Sequence, residues 1–212
     1  FFFGPEQRKL FGCLHAPSAQ ARGGHAVVLC NPFGSEELSA HRAWRDLAKR
    51  LARDGHWVLR FDYHGCGDSA GAPDDSNQFH LWTQAVGSAI DEIKRISSRR
   101  EVVLVGLRLG AATAWHAAIG RDDIAAWVGI APVLSGRMYI RELLALQAAA
   151  SLPDSLPLDQ GLESGGFVLG TATRRAIEEL DLRAPSRAPP KRMMLVERSD
   201  RPPAVTALAA LD

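Results

Sequence analysis

The sequence predicts an α/β architecture, a mostly parallel sheet with helices on both faces. Short apolar runs that suit strands buried on both sides alternate with stretches of helical periodicity, and glycine or proline punctuates the junctions. Such alternation implies right-handed crossovers between parallel strands.

Residues 8–15 (RKLFGCLH) read as a strand with Leu10 and Leu14 on one face. A turn-rich link leads to 25–30 (HAVVLC), a continuous apolar run broken by Asn31-Pro32-Phe33-Gly34. A helix is expected from Ser39 as N-cap, with Trp44, Leu47, Ala48 and Leu51 at i, i+3, i+4 and i+7 and Gly55 past its end. The next strand is 56–63 (HWVLRFDY), followed by a tight polar turn over 65–69. A second helix spans about 77–96, its stripe formed by Phe79, Trp82, Val86, Ile90 and Ile93. Residues 102–105 form a strand bounded by Gly106, 109–119 a helix of small residues stopped by Gly120, and 126–130 a strand ended by Pro132.

The pattern then changes. Residues 136–150 read as an amphipathic helix, 151–170 as a segment broken by proline and glycine, and 171–182 as a further helix. The weak 167–169 run is the one strand signal there, so a lid insertion over about 135–184 is expected within a single 1–212 domain. A buried strand returns at 191–197 (KRMMLVE), and 204–211 begins a last helix. The chain opens on Phe and ends inside a helical pattern, so a C-terminally incomplete fragment is expected, short of a final strand and helix.

Composition narrows the function. The 212 residues carry a net charge of +1, which argues against duplex nucleic acid or an acidic membrane surface as the default partner. No run of about 18 apolar residues exists to span a membrane. Cys13, Cys30 and Cys66 are odd in number and lack metal-ligand spacing; no disulfide scaffold or metal site is expected, and the cytoplasm is the expected location. The glycines at 65, 67 and 71 are spaced G-x-G-x-x-x-G, which does not fit a dinucleotide loop, and no cofactor is expected. Composition fixes no oligomeric state.

Gly106-Leu107-Arg108-Leu109-Gly110 has the spacing of a nucleophile elbow, G-x-S-x-G, between an expected strand and helix. Its central residue is Arg108. A guanidinium stays protonated and cannot attack a carbonyl. It caps carbonyls, pairs with a carboxylate, or binds an anion, because a lone cation at a helix N-terminus is disfavoured. Cys66 reads as an inert, partly buried thiol, with His64 pointing away from it along an extended strand. His116 reads as a packed helix residue, and Asp62 and Asp68 as organisers of the polar turn.

The stretches FDYHGCGDSAG (61–71), VGLRLGAA (105–112), APVLSGRMYIREL (131–143) and LVERSD (195–200) resemble the α/β-hydrolase superfamily. The likeness is to its serine aminopeptidase-like group, and particularly to hydrolases associated with bacterial exosortase gene clusters. The resemblance implies the α/β-hydrolase fold and action on an ester, thioester or amide. It puts the nucleophile position on Arg108, the acid position on Asp200, and the oxyanion-hole N–H groups on Leu109 and Phe33. The family's histidine would follow residue 212, since all seven histidines of this chain precede Asp200. A hydrolase of small-molecule substrates and a catalytically inactive homologue that binds an anionic small molecule both stand at this point. A scaffolding role for the insertion is the third alternative.

Overall fold

The computed structural model describes residues 1–18, 23–150, 161–183, 190 and 192–198. The strands are β1 (Phe2–Phe3), β2 (Leu10–His15), β3 (Ala26–Cys30), β4 (Trp57–Phe61), β5 (Val102–Leu107), β6 (Ile124–Ile130), β7 (Leu162–Ser164), β8 (Phe167–Leu169) and β9 (Met193–Val196). The helices are α1 (Ser35–Arg53), α2 (Gln78–Ser97), α3 (Leu109–Ala118), α4 (Gly136–Ala150) and α5 (Thr171–Glu178). The sheet order is β1-β2-β4-β3-β5-β6-β9. β1 and β2 join antiparallel and the rest pair in parallel.

Alternation along the central strands divides the core. On β3, Val27 and Leu29 face α1 and pack with Trp44, Ala48, Val58 and Val105. Ala26, Val28 and Cys30 face the other way, toward α2 and α3. All five β3 residues are buried, as a strand covered on both faces requires. The stripe expected on α2 is buried throughout, from Phe79 to Ile93.

α3 is apolar around its whole girth, and nine of its residues are buried, which suits a helix sunk between sheet and neighbours. Its alanines allow a close approach, and Trp115 meets Trp127 of β6 edge to face at 5.1 Å. Trp127 also donates its indole N–H to Ala111 O at 3.0 Å. An aromatic pair of this kind adds about 1 kcal/mol beyond its buried area.

The carboxyl ends of the parallel strands lie level: Cys30 pairs with Gly106, Leu107 with Ile130, and Ile130 with Val196. β3 leads through α1 to β4 on one side, while β5 lies on the other, so the topology switches between β3 and β5. Ligands of open α/β sheets bind at such a point. Arg108 after β5, Ala131 to Ser135 after β6, and Glu197 and Arg198 after β9 line one cleft at this edge.

Several expectations change. α1 starts at Ser35, a turn before Ser39, because Glu36 and Glu37 fill a first turn that favours carboxylates; the Ser39 hydroxyl bonds back to Ser35 O. β5 runs through Gly106 to Leu107. Residues 6–8 form a 3-10 turn rather than the start of β2, and Phe2–Phe3 adds a strand. Residues 162–169 fold as a two-stranded hairpin where one weak strand was expected. Its Ser164 hydroxyl accepts the Ser35 N–H at 3.3 Å, which ties it to the start of α1. α5 stops at Glu178. Met138 and Leu146 of α4 are exposed, while Leu143 is buried beside Tyr139 and Ile140. The helix expected over 204–211 lies outside the described residues. Among the described residues no helix is long and apolar enough to cross a membrane.

A methyl group on Gly110 would collide with the backbone carbonyls of Asn31 and Cys30. Neither can yield without moving the end of β3, so Gly110→Ala is expected to cost about 3 kcal/mol, read as a lower urea midpoint.

Candidate functional site

The turn between β5 and α3 consists of one residue, Arg108, at φ 53° and ψ −117°. This is a costly conformation for a side-chain-bearing residue, of order 1–3 kcal/mol. Backbone bonds enforce it. Arg108 N–H donates to Ile130 O at 3.0 Å, and Arg108 O accepts from Ala111 and Val133, each at 3.2 Å. The residue therefore stands at the carboxyl edge of the sheet, at the β3/β5 switch.

The residue is 8% exposed. Nε donates to Glu36 Oε1 at 2.5 Å and Nη2 to Glu142 Oε2 at 2.9 Å. The guanidinium also lies 5.3 Å from the centre of the Tyr139 ring. The Tyr139 hydroxyl donates to Glu36 Oε2 at 3.3 Å, and Arg198 Nη1 donates to Glu142 Oε1 at 3.4 Å. Burial alone would lower the Arg108 pKa, but the two carboxylates outweigh it and hold it above the ordinary arginine value. Burial, then Glu36, raises the Tyr139 phenol. Of the roles open to Arg108, pairing with carboxylates is the one the structure displays.

A cleft of about 290 Å³ opens beside this network, walled in part by Arg108, Ser135, Met138, Glu142, Glu197 and Arg198. Glu197 follows β9, and its Oε1 is buried without a hydrogen-bond partner among the described residues. The carboxylates Glu36, Glu142 and Glu197 escaped the sequence reading. The shifted start of α1 hid Glu36 in a presumed loop, while Glu142 and Glu197 carried no local signal.

Leu109 opens α3, where the first N–H groups have no intrahelical acceptor. Phe33 follows β3, its ring held between Trp82 and Phe167, each at 5.7 Å. Both residues are buried, and neither lines the cleft. Asp200 lies outside the described residues.

The turn after β4 differs from expectation at His64, which sits past the strand end rather than within it. It is buried, and its Nε2 lies 2.8 Å from Asp75 Oδ2. Asp62 Oδ2 accepts the Asp68 N–H at 3.1 Å. Gly67, at φ 52°, leaves room for that carboxylate where a side chain would strike it. Burial, then Glu37 and Asp62, pushes the Cys66 thiol up to about 12, far from a thiolate at neutral pH. His116 stacks edge-on to Phe79 at 5.7 Å, and burial lowers its pKa. Among the described residues no group of three or more His, Cys, Asp or Glu is placed to hold a metal ion.

Glu37, next to Glu36 on α1, turns the other way and accepts from Asn31 Nδ2 at 3.2 Å. Burial, then repulsion from Asp62, raises its carboxyl to about 7 against that hydrogen bond.

Comparison with known proteins follows this geometry. The profile of the family described as Serine aminopeptidase, S33, matches residues 25–192. Est1E from Butyrivibrio proteoclasticus, solved with ferulic acid, superposes with a TM-score of 0.64 at 19% identity, over 86% of this chain and 72% of its own. The α/β hydrolase GrgF from Penicillium sp. sh18 gives 0.61 at 19% identity, over 86% of this chain and 73% of its own. XC6422 from Xanthomonas campestris, described as an α/β serine hydrolase without lid, gives 0.52 at 20% identity, over 63% and 61%. The chain has the α/β-hydrolase fold. No curated protein matches it significantly.

Two outcomes are expected from the site residues. Arg108→Ala strands two carboxylates that are each about a quarter exposed and should cost about 3 kcal/mol of unfolding free energy in urea titrations. Arg108→Lys should recover only part of it, because an ammonium lacks the fork that reaches both partners. Glu37 holds its proton more tightly folded than unfolded, where it titrates near 4.5. Its contribution is therefore full below that pH, declines as pH rises toward about 7, and is flat above. Glu37→Gln should remove the decline and gain about 3 kcal/mol over wild type at pH 8, read from urea midpoints at pH 5 and pH 8.

Proposed function

The chain belongs to the serine aminopeptidase S33 family, and from that premise we propose that it hydrolyses an ester, thioester or amide without forming an acyl-enzyme at residue 108. The carrying observation is the cleft walled by the ends of β5, β6 and β9, which brings into one lining a permanent cation, Arg108, and Glu197, whose Oε1 has no hydrogen-bond partner among the described residues. Residue 108 takes the place where a G-x-S-x-G turn presents its serine, and it binds rather than attacks.

In this reading a water in the cleft attacks the acyl carbon, and Glu197 takes its proton. The N–H groups of Leu109 and Phe33 receive the oxyanion. Both residues are buried and neither lines the cleft, so a local rearrangement precedes this step. Collapse expels the alcohol, thiol or amine, which leaves with the proton from Glu197. Arg108 holds an anionic group elsewhere on the substrate, a carboxylate or phosphate. The segment between β6 and β9 serves as the lid, with Tyr139, Ile140 and Leu143 as its buried footing. The likeness to exosortase-associated hydrolases belongs to the same proposal, as does a cytoplasmic location, supported by three free cysteines.

A second reading, binding of an anionic small molecule without turnover, draws on a separate observation. Arg108 is paired twice, and neither amide donor lies on the cleft wall.

A panel of p-nitrophenyl acyl esters, with and without a terminal carboxylate, separates the two. Turnover favouring the anionic esters, reduced about 100-fold or more in Glu197→Gln, is expected for the hydrolase. Saturable binding with no release of nitrophenol would leave the second reading. Loss of activity in Asp200→Asn with Glu197→Gln unaffected would move the base to the acid position implied by resemblance. A fluorophosphonate probe should label no serine; labelling would refute the assignment of residue 108.

A further inference from the structure

One carboxylate in the cleft wall joins two guanidiniums. Glu142 on α4 presents Oε2 to Arg108 at 2.9 Å and Oε1 to Arg198 at 3.4 Å. Arg108 comes from the turn after β5 and Arg198 from the segment after β9, so the two cations reach the carboxylate from separate parts of the sheet edge. Two guanidiniums set a carboxylate's width apart match the paired oxygens of a carboxylate or phosphate.

The two ends of the bridge are unequal. At Arg108 the contact is short and the guanidinium nearly buried, whereas the Arg198 side chain is 33% exposed and its contact is long. The Arg198 end lies in the cleft wall. Glu36 keeps its own contact with Arg108 Nε and is not part of the bridge.

We propose that Arg108 and Arg198 form an anion seat whose resting occupant is Glu142, and that a carboxylate- or phosphate-bearing ligand in the cleft displaces Glu142 and frees the adjoining face of α4. This rests on reading the cleft as the ligand site and does not require hydrolysis. A tethered carboxylate competes at high effective concentration, so the seat binds free anions more weakly than its two cations allow. Removing the competitor then tightens binding, whereas removing a residue that merely supports the fold does not. Displacement also breaks a link between α4 and the sheet edge, which couples occupancy of the seat to the opening of the segment over the cleft.

The test uses inorganic phosphate and glutarate, neither of which is a hydrolase substrate, so its outcome is separate from that of the ester panel. Calorimetric titration should show both anions binding about tenfold more tightly to Glu142→Gln than to wild type, and at least tenfold more weakly to Arg198→Gln. Preference between the two probes tells phosphate from carboxylate as the ligand's anion. Hydrogen exchange should show that saturating anion accelerates exchange across 136–150 in wild type but has little effect in Glu142→Gln, where the link is already absent. Unchanged or weaker binding in Glu142→Gln overturns the proposal, as does slowed exchange of α4 on anion binding. Should Glu142→Gln fail to fold, Arg198→Gln decides: anion affinity equal to wild type refutes the seat.

Discussion

A guanidinium that cannot release its proton, fixed at a buried strained turn, is the constraint to which the surrounding structure answers. Arg108 is 8% exposed and stands at the N-terminus of α3, where a positive charge is opposed by the helix dipole. Uncompensated, such a charge is too costly to bury. Glu36 and Glu142 compensate it from two directions, the first turn of α1 and the middle of α4. Tyr139 adds a ring beside the cation and a hydroxyl to Glu36. The start of α1, the turn after β5 and α4 are thereby tied through one side chain.

Packing beneath the turn explains why it holds. The strained residue is bonded to Ile130 at the end of β6 and to Val133 beyond it, and α3 cannot drift, because Gly110 lies directly on the end of β3. Trp115 and Trp127 lock the far side of the same helix to the sheet. The hairpin of β7 and β8 closes the remaining flank by bonding to Ser35 and setting Phe167 edge to face with Phe33. Rigid backbone thus positions a mobile kind of side chain, and the chemistry of the site depends on what that side chain meets.

A serine at such a turn would present a hydroxyl to be activated; an arginine presents charge and hydrogen-bond donors already spoken for. The cleft lies at the carboxyl edge of the sheet, where open α/β sheets bind ligands. Family membership and fold therefore fix where a ligand goes more firmly than what happens to it. The carboxylates decide the rest. Two of them hold the cation, and Glu197 Oε1 has no hydrogen-bond partner among the described residues.

Local order was legible in the residues themselves. The apolar runs of β3 and β5, the α2 stripe and the small-residue α3 each carry their period within a few turns, and the G-x-x-x-G spacing around Arg108 marks a strand-to-helix bend. The three residues of β7 were too few for periodicity to separate from loop, although 167–169 carried the signal of β8, and Ser39 stood out as a helix start because capping signals are local. Only the tertiary structure decided what Arg108 does. Its partners stand 72 and 34 residues away along the chain, and Glu36 meets Tyr139 across 103. Glutamates on amphipathic helices read as solvent-facing, and nothing in their neighbours distinguishes those that turn inward. The distinction arises when the sheet brings the ends of β3, β5, β6 and β9 level and a buried cation requires compensation there.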